Sequence, residues 1–184
     1  MLRDLTMRRI RWAVVSACFA ISLAAGQNPG SVVNARVVFA TEAAHAGSPL
    51  QAAVVAEVAP GYHINDHKPS LDYLIPTELK LDDSRELSVE RLAYPKGQPR
   101  KFEFSDTALS VYEGTVRVGA LLKVARAAQP GTYTVKGKLT YQACDDHACL
   151  APASLPVVIA VKVVGPGVPV KRLNEDVFSK IQFN

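Results

Sequence analysis

The residues with most chemical potential lie in one short run, Cys144-Asp145-Asp146-His147-Ala148-Cys149. Two thiols separated by four residues can form a local disulfide, exchange it with another protein, or join histidines around a metal ion. As a staple, such a bridge is weak. Closing a loop of six residues contributes only about 2 kcal/mol by the chain-entropy formula. A bridge that staples a β-sandwich would join distant strands instead. A short bridge in a loop is better suited to opening and closing by thiolate exchange. Asp145 and Asp146 disfavour a nearby thiolate, whereas a protonated His147 favours one. A metal site would draw on Cys144, His147 and Cys149, with His63 and His67 from a distant Gly61-Tyr62-His63-Ile64-Asn65-Asp66-His67-Lys68-Pro69 run. Such a Cys2His2 set suits zinc or copper, although zinc-binding cysteine pairs are usually two residues apart. On residues alone, the structural bridge and the redox pair weigh equally, with metal binding behind them.

The N-terminus decides the compartment in which these thiols would work. Arg8, Arg9 and Arg11 precede an uncharged apolar stretch from Trp12 to Ala25, and Ala24 and Gly26 are small. This is the pattern of a secretory signal peptide over residues 1–26, cleaved before Gln27. The stretch is shorter than the roughly 20 residues of a comfortable membrane span. Val15-Ser16-Ala17-Cys18 has a lipobox look, but most of the apolar core follows the cysteine, so a lipoprotein is the weaker reading. Of the three cysteines, Cys18 would leave with the signal. The remaining pair would then sit in an oxidising, periplasmic setting, where disulfides persist. The formal charge of +4 also changes: residues 1–26 carry four arginines against one aspartate, leaving +1. The mature chain therefore has no electrostatic call on nucleic acid or anionic lipid, and no further segment suited to crossing a membrane. No cofactor is expected, and no bound metal.

The elements that must position the cysteines are strands. Period-two alternation runs through 50–58, 115–124, 132–141 and 155–163. Val116, Val118, Ala120, Leu122 and Val124 alternate with Thr115, Arg117 and Lys123, and Tyr133, Val135, Leu139 and Tyr141 alternate with Thr134, Lys136, Lys138 and Thr140. Weaker strands are expected at 33–39, 74–81 and 87–94. Turn sequences such as Ala59-Pro60-Gly61, Tyr94-Pro95-Lys96-Gly97 and Gln129-Pro130-Gly131 separate them. About seven strands without a strong helix between them predict an all-β, immunoglobulin-like antiparallel β-sandwich over residues 31–164. Residues 165–184 read as a Gly-Pro-Gly linker and a C-terminal tail. A short helix is expected within 173–182, with Asn174 as N-cap and Val177, Phe178 and Ile181 on one face, docked on the sandwich or on a partner. The cysteines then fall in the loop after strand 132–141, with their Cα atoms expected about 4.4–6.8 Å apart across a ladder.

Tyr141-Gln142-Ala143-Cys144, then Cys149 and Pro152, resembles the active-site hairpin of the N-terminal periplasmic domain of the thiol:disulfide interchange protein DsbD. Supporting stretches are Gly61-Tyr62-His63 before Lys68-Pro69, Tyr73-Leu74-Ile75-Pro76-Thr77, and Tyr94-Pro95-Lys96-Gly97 leading to Phe102-Glu103-Phe104. The resemblance runs over roughly 35–163 and favours the redox reading. It implies an enzyme component that takes reducing equivalents from a thioredoxin-like domain fed by a membrane thiol conduit. It would pass them to oxidised periplasmic thiol proteins, including disulfide isomerases and cytochrome c maturation factors. By the same resemblance Cys149 forms the mixed disulfide with partners and Cys144 resolves it. The loop Phe102 to Ser105 covers the pair, with Phe104 as the shield beside Glu103. His63, Asn65, Tyr141 and His147 would line the site. The sequence departs from the pattern in having four rather than five residues between its cysteines. His63 and Asn65 stand where aromatic residues line the site in better-known members. With a single domain in the chain, electrons are expected to come from a separate polypeptide.

Overall fold

The computed structural model describes residues 32–183, so the expected signal segment lies outside the described residues. Twelve strands and one short helix follow in chain order. They are β1 (Val33–Phe39), β2 (Ala44–His45), β3 (Pro49–Val58), β4 (His63–Asn65), β5 (Glu78–Leu81), β6 (Leu87–Ala93), β7 (Gln98–Arg100), β8 (Leu109–Tyr112), β9 (Thr115–Val124), β10 (Gly131–Tyr141), β11 (Ala143–Cys144), β12 (Ala153–Val164) and α1 (Glu175–Phe178).

Two four-stranded sheets make the body, in the orders β1-β3-β9-β6 and β2-β12-β10-β5. Their alternating residues meet in one core. Val54 from β3 and Val118 and Leu122 from β9 pack with Val135 and Leu139 from β10 and Ile159 and Val161 from β12, all essentially inaccessible. Each Val, Leu or Ile so buried contributes about 1.5–3 kcal/mol relative to exposure, which is why the alternation fixes the register. Thr115, Lys123, Lys136 and Lys138 face solvent, as the pattern predicts. The fold is thus the expected antiparallel all-β sandwich. One short exception is the parallel pairing of β2 with the end of β12, through Val163–Ala44 and Val164–His45.

β3 is buried on both faces, and the tail explains it. Val177, Phe178 and Ile181 cover Val38, Ala53 and Val55 on the outer side of the β1-β3-β9-β6 sheet. Gly119 of β9 permits this close approach: a Cβ there would lie 2.6 Å from Ile181 Cγ2 and 2.7 Å from Phe183 Cζ. The tail therefore docks on the sandwich. Its helix is shorter than the expected 173–182, and Asn174 does not cap it with its side chain. With φ at 53°, Asn174 instead turns its Nδ2 to donate to the Phe39 carbonyl, at 2.9 Å.

The strand expected over 74–81 begins only at Glu78. Pro76 lacks the N–H a ladder needs. The preceding segment is tied down by side chains instead: Asn65 Nδ2 donates to Ile75 O at 2.9 Å and Thr77 Oγ1 donates to Asn65 O at 2.6 Å. Those bonds anchor β4, which belongs to a third sheet of order β11-β4-β8-β7. This small sheet carries the cysteine pair.

Candidate active site

Cys144 stands between two cross-strand neighbours. On one side it pairs with His63 of β4, and on the other it forms an antiparallel bridge with Cys149. The two sulfurs are joined in a disulfide, with the Cα atoms 3.9 Å apart. That is closer than the range expected from sequence, and closer than the roughly 4.5–5.5 Å of ordinary opposed strand residues. Asp145 shapes this loop. Its Oδ1 accepts hydrogen bonds from the backbone N–H groups of His147 and Ala148, both at 2.8 Å, while its own N–H donates to Ala148 O at 3.0 Å. This is the Asx-turn chemistry for which aspartate is suited. The N–H donors of Ala148 and His147 hold the Asp145 carboxyl below its ordinary value, so it stays anionic beside the sulfurs. Leu150 N–H donates to Ala143 O at 2.8 Å and Gln142 Nε2 donates to Leu150 O at 3.1 Å, closing the loop base.

The two sulfur-bearing residues are unequal. Cys144 is 1% exposed, whereas Cys149 is on the surface. An incoming thiolate must approach along the S–S axis, so the exposed partner is the accessible one.

Beside Cys144, His63 is buried, and its ring stacks on Phe102 at 4.2 Å between centroids. Phe102 in turn stacks on Phe104 at 5.2 Å. The loop carrying these rings is neither a strand nor a plain solvated turn. Phe102 is buried with Leu109, Val111, Leu71 and Leu74, whereas Phe104 remains 48% exposed. Lys101 Nζ donates to Asp106 O, and Ser105 Oγ donates to Thr107 O at 2.8 Å, which folds the loop on itself. Glu103 points to solvent.

Burial lowers the pKa of His63 below its ordinary value, with Arg100 acting in the same direction. The Glu113, Asp146 and Asp145 carboxylates act against it. Arg100 Nε lies 3.2 Å from Glu113 Oε1. Together with Tyr62, His63 and Asp146, this ion pair lines a cleft of about 350 Å³ next to the disulfide loop.

The other residues singled out by sequence fall differently. Asn65 is buried and engaged with the 75–77 segment, so it positions β4. Tyr141 joins the main core, where burial raises its hydroxyl pKa. His147 is exposed on the loop. His67 lies apart, stacked on Tyr94 at 3.6 Å with Nδ1 3.1 Å from Thr77 O. Among the described residues, no three His, Cys, Asp or Glu side chains converge as a metal-holding group. Sequence reasoning missed Arg100 and Glu113, and it missed the stacking of Phe102 on His63. The available signal was Glu113-Gly114, a turn dipeptide with Gly114 at φ 60°, which marks the turn where the chain passes from β8 in the small sheet to β9 in the main one.

The family model described as "Thiol:disulfide interchange protein DsbD, N-terminal" matches residues 31–157. The structure is similar to the reduced DsbD N-terminal domain of Neisseria meningitidis, at 22% identity and TM-score 0.40, covering 74% of this chain and 90% of that one. It is similar to the same Neisseria domain in complex with the PilB N-terminal domain, at 22% identity and TM-score 0.39, covering 65% and 80%. The N-terminal periplasmic domain of ScsB from Proteus mirabilis gives 14% identity and TM-score 0.49, covering 74% of this chain and 49% of that one. No curated protein matches the chain.

Proposed function

The chain belongs to the family of the DsbD N-terminal domain, and from that premise we propose that Cys144 and Cys149 are a redox-active pair that carries reducing equivalents between periplasmic proteins. The observation that carries this reading is the asymmetry of the disulfide: one cysteine is buried against β4 and the other is exposed at the loop. A purely structural bridge has no use for such a difference, whereas an exchange reaction needs one accessible and one sheltered sulfur.

The cycle balances without a cofactor. A thiolate of the donor, a thioredoxin-like domain of a membrane thiol conduit, attacks Cys149 Sγ. The Cys144–Cys149 bond breaks and Cys144 leaves as a thiolate that takes up a proton. The donor's second thiol then displaces Cys149, and the donor keeps the disulfide. In the forward half, the Cys149 thiolate attacks the disulfide of an oxidised periplasmic protein, such as a disulfide isomerase or a cytochrome c maturation factor. Cys144 resolves the mixed disulfide, and two electrons have passed to the acceptor. Phe104 shields the pair between encounters. Its ring is the outer layer of a stack that ends on His63, the strand neighbour of Cys144. Export through a signal peptide over residues 1–26 places the cycle in the periplasm.

The test is a redox titration of the purified protein against reduced and oxidised glutathione, with circular dichroism at both ends. A potential within the range of thiol-exchange proteins and an unchanged β spectrum support the proposal. A potential below about −300 mV, the range of structural disulfides, or unfolding on reduction refutes it.

A further inference from the structure

Three side chains stand in a row across adjacent strands: His63, Cys144 and Cys149. Directly opposed residues on antiparallel strands have Cβ atoms about 4.5–5.5 Å apart and project to the same face. The residue directly opposite the buried cysteine, on the strand away from Cys149, therefore carries an imidazole on the same face. We propose that His63 is the proton acceptor for the Cys144 thiol in the resolving step, a role that rests on the redox reading of the pair.

The need for such a group follows from burial. Cys144 is 1% exposed, and a thiol in that setting resists ionisation. Asp145 and Asp146 on the loop oppose a thiolate as well. Yet resolution requires Cys144 as a thiolate, because a neutral thiol is a poor nucleophile. A base must therefore lie within reach, and among the described residues His63 is the imidazole paired with this cysteine. Its surroundings keep it ready. The ring is held by the stack on Phe102, so it is oriented before the reaction. The charged groups facing it are Arg100 of β7, Glu113 after β8, and Asp145 and Asp146 of the cysteine loop. Burial and Arg100 keep the resting imidazole neutral at physiological pH and free to accept a proton, while the three carboxylates stabilise the imidazolium once it forms.

In the mixed disulfide, the Cys144 S–H proton passes to a ring nitrogen of His63. Cys144 Sγ attacks Cys149 Sγ, the Cys144–Cys149 bond forms, and the bond from Cys149 Sγ to the acceptor sulfur breaks. The acceptor sulfur leaves with the electron pair and is reprotonated from the imidazolium or from water.

The experiment uses the reduced protein and dithiobis-nitrobenzoate, an aromatic disulfide that releases a coloured thiolate in two stages. The first equivalent reports attack by the exposed cysteine, and the second reports resolution. For the wild-type protein the second stage should be level across neutral pH and fall only in acid, as His63 takes its proton. In His63→Gln the ratio of second-stage to first-stage rates should drop about 10²-fold at neutral pH, the lower end of what a positioned base supplies. The remaining rate should climb with pH until the thiol itself ionises. His63→Phe, which retains an aromatic ring against Phe102, should behave as His63→Gln does. An unchanged ratio and pH profile in both variants overturns the inference. So does a rate loss restricted to His63→Gln, because the ring's packing would then be what matters. Failure of the underlying redox reading looks different: glutathione titration of the wild-type protein would give a potential below about −300 mV, or reduction would unfold it, whatever the His63 variants do.

Discussion

Replacing Phe104 by alanine should speed reduction of the disulfide by glutathione up to about 30-fold. The magnitude comes from what holds the ring in place. Phe104 is 48% exposed, so about half of its side chain is withdrawn from water. Full burial of such a side chain is worth about 1.5–3 kcal/mol, so half contributes about 1 kcal/mol. Stacking on Phe102 adds about another 1 kcal/mol. If a thiolate reaches Cys149 Sγ only after the ring has moved, about 2 kcal/mol is removed from the barrier, and each 1.36 kcal/mol is tenfold in rate. The same 2 kcal/mol bounds the loss of stability, or about 4–8 °C in Tm for a domain of this size. Phe102→Ala is the control. That ring is buried among Leu109, Val111 and His63, and its removal should cost about 3–5 kcal/mol. Stopped-flow reduction by glutathione, with a thermal melt of each variant, gives both numbers. A rate for Phe104→Ala within twofold of the wild type would refute the shield and leave Phe104 as an exposed member of the loop.

The unequal burial of the cysteines predicts unequal trapping. Cys144→Ser should capture an oxidised thioredoxin-like partner as a mixed disulfide on non-reducing electrophoresis, and Cys149→Ser should capture far less. Equal capture would cancel the assigned order. Asp66 gives a pH-dependent prediction. Burial acts to raise its pKa, but hydrogen bonds from the Tyr112 and Ser110 hydroxyls and from the N–H groups of Lys68 and His67 outweigh it, holding the carboxyl below its ordinary value. A depressed folded pKa stabilises the fold above the unfolded value of about 3.9 and loses that contribution as pH falls through the folded pKa. Asp66→Asn should therefore melt lower than wild type from pH 5 to 7, with the gap closing below about pH 3.9. A gap independent of pH would show that packing, not ionisation, is responsible.

The long strands were legible because each alternates apolar residues toward the main core over many positions. β9 begins and ends at the residues its alternation predicts, and β3 and β10 do so within one residue. The strands that escaped detection are β2, β4, β7, β8 and β11, each of two to four residues. Over so few positions a period of two cannot be told from chance. Four of those five build the third sheet, which is the one that carries the cysteines. The Asn174 side chain and the late start of β5 were illegible for another reason. Both are set by long-range hydrogen bonds, to Phe39 and between Asn65 and the 75–77 segment.

At the site itself the sequence showed the cysteines but could not rank them. The local run offers Asp145, Asp146 and His147 as the groups nearest the thiols, and any estimate from neighbours in sequence begins with these. The folded chain reassigns the work. Asp145 spends its side chain on turning the loop, and His147 stays in solvent. The imidazole opposite Cys144 comes from His63, 81 positions earlier in the numbering, because β4 and β11 pair at that register. That pairing also decides which sulfur is sheltered. β4 covers Cys144 on one side and leaves Cys149 at the rim, so one act of strand addition sets both the unequal burial of the two cysteines and the histidine that stands opposite Cys144. A one-residue slip of β11 against β4 would turn Cys144 toward the opposite face and separate it from His63. The slip is opposed by Ile64 between His63 and Asn65. Ile64 is wholly buried in the main core and pairs with Ala143, so its burial locks the register on which the site depends.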